Sequence, residues 1–84
     1  MVNDGDCVAI FHSVHRVMKA EKVLKDRQLN ILLIPAPRQL SADCGMAIRY
    51  PCELHSEVKQ VLVEFALPLI DVWQMQSGKY QLLA

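Results

Sequence analysis

Eighty-four residues allow one domain, 1-84, with a single apolar core and no room for a separate catalytic unit. Nine basic and nine acidic side chains cancel, so the positive footprint of a protein that neutralises nucleic-acid phosphates is absent. An apolar share of 52% against 21% charged residues excludes a disordered chain.

The apolar runs "VAIF", "ILLI" and "VLVEFALPLI" fall short of the ~20 residues that span a bilayer, and the last contains Glu64. The start "MVNDGD" is acidic and polar, unlike a secretory leader. These features read as a cytoplasmic protein with neither a membrane nor a nucleic-acid partner. Three cysteines, Cys7, Cys44 and Cys52, form no CxxC pair, which signals neither a disulfide framework nor a structural zinc site. Reduced thiols are the expectation: Cys7 and Cys52 could approach each other across neighbouring strands, but in a cytoplasmic protein they read as small packing residues.

Taken in chain order, "CVAIF" (7–11) is a short apolar run suited to a buried strand. The segment 12–28 follows as a helix capped by Ser13. Its apolar stripe is Val14, Val17, Met18 and Leu24, Arg16, Lys19, Lys22 and Lys25 lie largely off it, and Glu21 and Lys25 pair at i and i+4. "NILLI" (30–34) is a second strand, ended by Pro35 and Pro37, and 35–44 is a loop. "GMAIRY" (45–50) alternates Met46, Ile48 and Tyr50 with Ala47 and Arg49 as a third strand. Pro51 and Cys52 open a second helix, with Leu54, Val58, Val61, Leu62 and Phe65 as its stripe and Pro68 as its stop. "LIDVWQM" (69–75) is a fourth strand, and the form of "SGKYQLLA" is open.

This order predicts an α+β fold of the ferredoxin-like split βαβ kind (βαββαβ), with a four-stranded antiparallel sheet and two helices on one face. Right-handed crossovers place strands one and two parallel to each other with strand three between them. The end of strand one, the start of helix one and the loop 35–44 then share one end of the sheet. Cys44 lies there with His12, Ser13 and His15, while Cys7 and Cys52 fall at the other end. A sheet with helices on one side leaves the other side to water unless a partner covers it. Val72, Trp73, Leu82 and Leu83 could then support a homodimer through the open face.

A thiol acts as a nucleophile only as its thiolate, which a helix N-terminus or a nearby cation favours. Around Cys44 the first turn of helix one supplies unpaired N–H groups, Arg38 a permanent charge, and His15 a route for a proton. Gly45 permits a sharp backbone turn beside the sulfur. The plainer reading of each residue stands beside this one: Ser13 as a cap, the histidines as surface residues, Arg38 as a solvated loop residue. Asp43 reads equally as an Asx turn, and its charge opposes a low thiol pKa. Cys44, His12 and His15 are acceptable zinc ligands, but their spacing matches no closed motif and no fourth ligand is evident, so no metal is assigned. His55, with Glu53 and Glu57, reads as a solvated helix start.

The stretch from "FHSVHRVMKAEKVLK" through "LIPAPRQLSADCGMAIRY" resembles the selenium/sulfur (Se/S) carrier protein-like family, small bacterial domains of unknown function. Its distinctive parts are Phe11 and Ser13 at the start of helix one, Ala20, Glu21 and Lys22 within it, and Pro35, Pro37, Arg38, Ser41, Cys44 and Gly45 in the loop. The resemblance implies Cys44 as the carrier atom, with Ser13, Arg38, Ser41 and Gly45 around it. Where this chain has Ala42 the family often has a second serine, and the Cys-Pro-x-Pro motif of small sulfur-carrier companions is absent. What it implies about function is sulfur transfer without a cofactor: a shuttle with little turnover of its own, taking a persulfide or perselenide from a donor protein and passing it to an acceptor. The alternative is a non-catalytic interaction or regulatory domain.

Overall fold

The computed structural model describes residues 2–40 and 45–83, the side chains of Leu69 and Ile70 excepted. Strand β1 (Asp6–Phe11) leads to helix α1 (Val14–Asp26), followed by β2 (Leu32–Pro35) and β3 (Met46–Pro51). A single 3-10 turn (Cys52–Leu54) runs straight into helix α2 (His55–Glu64), and β4 (Leu69–Gln76) and β5 (Lys79–Leu82) complete the described part of the chain. The strand order is β2-β3-β1-β4-β5, and each of its four pairings is antiparallel. Strands β1 and β2 therefore run parallel with β3 between them, as the crossover rule requires.

The sheet has five strands among the described residues, where the sequence pattern predicts four. The fifth arises because Ser77 and Gly78 both take positive φ, 53° and 77°, which closes a two-residue hairpin from Gln76 to Lys79. Such turns match the twist of the flanking strands. The tail that had no assigned form thereby gains a partner in the exposed edge of β4.

Alternation along β1 divides the core. Cys7, Ala9 and Phe11 pack with Val17, Ala20 and Leu24 of α1, Val58, Val61 and Leu62 of α2, and Ile48, Tyr50 and Val72. Val8 and Ile10 point to the other face, where they join Ile34, Ala47 and Leu40 in a second cluster flanked by Val2, Ala36, Trp73 and Tyr80. Both Val8 and Ile10 are 0% exposed within the single chain. The face away from the helices is thus covered at its centre by residues of the chain's own loop and ends. Val72 and Leu83, expected as part of an open-face cover, belong to the helix side instead.

The helices differ from their predicted stripes in a consistent way. In α1 the buried residues are Val17, Ala20, Val23 and Leu24, while Val14 and Met18 are 52% and 47% exposed. At 100° per residue, Val14 and Met18 share their side of the helix with Lys22 and Lys25, away from the Val17, Ala20 and Leu24 row. In α2, Val58, Val61 and Leu62 are buried and Phe65 lies at the surface beneath the Arg27 guanidinium, 5.8 Å from its ring centre. Arg27 also pairs with Glu64, tying together the ends of the two helices.

Both helices stop by the same device. In α1, the Leu29 N–H donates to Leu24 C=O (3.1 Å) and the Gln28 N–H to Lys25 C=O (2.8 Å), with Gln28 at φ 63°. In α2, the Leu67 N–H donates to Leu62 C=O (2.9 Å) and the Ala66 N–H to Val63 C=O (3.1 Å), with Ala66 at φ 54°. These are Schellman caps built without glycine. Helix α2 consequently ends at Glu64, ahead of the Pro68 stop. Pro35 is the last residue of β2, and an edge strand tolerates its missing N–H.

Candidate functional site

Ser13 caps α1 in extended conformation (φ −150°, ψ 162°), its hydroxyl accepting the Arg16 N–H at 3.3 Å. The first turn carries no acidic side chain, so its remaining N–H groups and partial positive charge are not met by a carboxylate of the helix itself. His12 and His15 are exposed, and their side chains make no hydrogen bond or ion pair among the described residues.

The loop between β2 and β3 is fixed at two points. The Ala36 N–H donates to Gly45 C=O at 2.9 Å, continuing the β2–β3 ladder beyond Pro35 and Met46. The Leu40 N–H donates to Pro37 C=O at 3.0 Å, closing a turn with Arg38 and Gln39 at its exposed tip. Leu40, 4% exposed, is buried in the cluster of Val8, Ile10, Ile34 and Ala47. This leucine is the loop's anchor, a role that the sequence pattern does not predict; its only local signal is one large apolar residue in an otherwise polar loop. Gly45 takes φ +72°, a region costly to other L-residues, and among the described residues beyond its chain neighbours nothing lies within 4 Å of where a Cβ would stand. Glycine serves the backbone there rather than a close contact.

Ser13 and Gly45 are brought to the same end of the sheet, because β1 pairs with β3 in the register Ile10 with Ala47. Arg38 belongs to a turn whose anchor packs on the face opposite the helices, and it makes no ion pair among the described residues. Cys44 and Ser41, with Ala42 and Asp43, lie outside the described residues.

The other end of the sheet holds the remaining cysteines, and here the sequence expectation is corrected. Cys7 and Cys52 are joined as a disulfide, with Cα atoms 5.0 Å apart and a sequence separation of 45. They are not separate packing thiols, because β1–β3 pairing sets Cys7 opposite Tyr50 and Asp6 opposite Pro51, bringing Cys52 just past the end of the ladder. The Cys52 N–H donates to Gly5 C=O at 2.9 Å, which fixes the approach.

Beside them, the Tyr50 hydroxyl and His55 Nδ1 are 2.8 Å apart, with the rings 6.1 Å between centres and 4° from parallel. Burial pushes the Tyr50 phenol far above its ordinary value, so it stays protonated and donates to Nδ1. Burial, and secondarily the Lys59 charge, lowers the His55 pKa, which keeps the imidazole neutral and able to accept. His55 opens α2, as the sequence suggests, but it is partly buried and hydrogen-bonded to Tyr50 rather than simply solvated. Among the described residues no group of three or more His, Cys, Asp or Glu stands in position to hold a metal ion.

The family described as "Putative Se/S carrier protein-like" matches residues 6–74, and the chain belongs to that family. The match covers β1 through most of β4 and includes the loop with Arg38, Ser41, Cys44 and Gly45. No curated protein and no solved structure shows a significant match. No described helix is long and apolar enough to cross a membrane.

Proposed function

We propose that the protein is a sulfur or selenium carrier in which Cys44 holds the cargo as a persulfide or perselenide. One observation carries this reading within the family: of three cysteines, Cys7 and Cys52 are bonded to each other, which leaves Cys44 as the remaining thiol. The Cys44 thiolate attacks the outer sulfur of a donor persulfide. The donor's sulfur–sulfur bond breaks, its inner sulfur leaves as a thiolate and takes up a proton, and a persulfide forms on Cys44. Handing the terminal sulfur to an acceptor thiol restores the starting state. Perselenide transfer follows the same bond changes.

In this reading Ser13 keeps the start of α1 capped, the first-turn N–H groups and Arg38 favour an anion, His15 passes a proton, and Ser41 and Gly45 flank the thiol in sequence. Donor and acceptor are proteins of the cytoplasm. The exposed Val14 and Met18, on one side of α1 with Lys22 and Lys25, suit an acidic partner surface with an apolar centre.

Incubation with a cysteine desulfurase and isotopically labelled cysteine, followed by peptide mapping, tests the proposal. One labelled sulfur on Cys44, released by dithiothreitol, is expected. Label spread equally over Cys7 and Cys52, or no label on Cys44, would overturn it.

A further inference from the structure

We propose that Cys7 and Cys52 form a second thiol site, a dithiol–disulfide couple that exchanges with an external low-molecular-weight or protein thiol through Cys52. The inference goes beyond the carrier reading and is independent of it.

The two sulfurs are unequal in access. Cys7 lies within β1, flanked by β3 and β4, and is 0% exposed, whereas Cys52 opens the 3-10 turn and is only partly buried. Of the two, Cys52 is therefore the one more open to an incoming thiolate. The backbone positions of both residues are held by hydrogen bonds that survive reduction: the β1–β3 ladder and the Cys52 N–H to Gly5 C=O bond. Their Cα separation of 5.0 Å falls inside the range that a disulfide spans. The pair is thus set to close again once opened.

Neither cysteine can serve the carrier end of the sheet. Five residue steps of β3, from Met46 to Pro51, at ~3.3 Å each, put about 17 Å between the Gly45 end and the Cys52 end. The couple needs a partner thiol of its own. The external thiolate attacks Cys52 Sγ, the Cys7–Cys52 bond breaks, and Cys7 leaves as a thiolate and is protonated. A second external thiol then attacks the mixed disulfide, releasing an external disulfide and the Cys52 thiol. Two electrons pass to the protein, and the external thiols are oxidised; the reverse sequence closes the bond.

The test uses the full chain carrying Cys44→Ser, which keeps any failure of the carrier reading separate. The protein is equilibrated in glutathione buffers of stepped reduced-to-oxidised ratio, acid-quenched, alkylated and mapped by mass spectrometry. Expected are a single two-electron transition, a glutathione adduct on Cys52 and not Cys7 at intermediate ratios, and a folded dithiol form melting about 10 °C or more below the disulfide form. A pair that stays reduced in fully oxidised glutathione overturns the proposal. So does a bond that dithiothreitol opens only in denaturant, or an adduct on Cys7.

Discussion

At one end of the sheet, Cys7, Tyr50, Cys52 and His55 are held by a covalent bond, a hydrogen bond from a buried phenol and the β1–β3 ladder. At the other, Ser13, Arg38 and Gly45 depend on a helix cap, one backbone hydrogen bond and the burial of Leu40. The first end is specified by side chains that lock one another. The second is specified by backbone conformation, with Arg38 left exposed. Substitutions at the two ends should therefore fail in different ways.

The largest contrast is between the cysteines. Closing a loop across a sequence separation of 45 constrains the unfolded chain by roughly 4 kcal/mol in the entropic account of disulfides. The Cys7→Ala, Cys52→Ala double variant is expected to lose up to that amount in urea denaturation, yet to retain sulfur loading. Cys44→Ser is expected to change stability by less than about 0.5 kcal/mol and to abolish loading. A large stability loss with Cys44→Ser would erase the division between the two ends.

Next in size is the loop anchor. Leu40→Ala removes a buried side chain and should cost roughly 2–4 kcal/mol, with faster hydrogen exchange at the Ala36 amide than at amides of β1. Unchanged exchange at Ala36 would show that Leu40 does not hold the loop.

Backbone conformation supplies a pair of opposite effects. Gly45→Ala should destabilise by about 1–2 kcal/mol, from strain at φ +72° rather than from a clash. Ala66→Gly, at φ 54°, should stabilise by about 1 kcal/mol or less, since there the strain is already present. Equal signs in chemical denaturation would contradict the strain argument.

The smallest effect concerns pH. Because the folded-state pKa of His55 lies below its unfolded value, the unfolded chain binds the extra proton first. The contribution is complete above the unfolded value near 6.5 and is lost as pH falls through the folded one. Melting temperature should therefore fall slightly more steeply below about pH 6.5 in the parent than in His55→Gln. A steeper profile in His55→Gln would reverse the assignment.

Much of the frame is legible in the amino-acid sequence, because its signals are local. The apolar run "CVAIF", the alternation in "GMAIRY", the Ser13 cap and the two proline-bounded segments each act within a few residues, and they suffice for the order of the first four strands and two helices and, with the crossover rule, for β3 lying between β1 and β2. The fifth strand has a local signal too, in Ser77 and Gly78, but whether that hairpin forms depends on the free edge of β4.

The loop signature containing Cys44 can likewise be read from sequence, since the family match rests on residue identities in order. Other features exist only across long separations. The Cys7–Cys52 bond needs the β1–β3 register, and the burial of Val8 and Ile10 needs Leu40 folded back from far along the chain. Likewise, the exposure of Val14 and Met18 depends on how α1 is rotated against the sheet. Local periodicity names a helix and its apolar residues, but only packing decides which of them meet a neighbour. Of the three cysteines, composition and spacing alone could not say which two would pair; the tertiary fold decided it by placing two of them 5.0 Å apart.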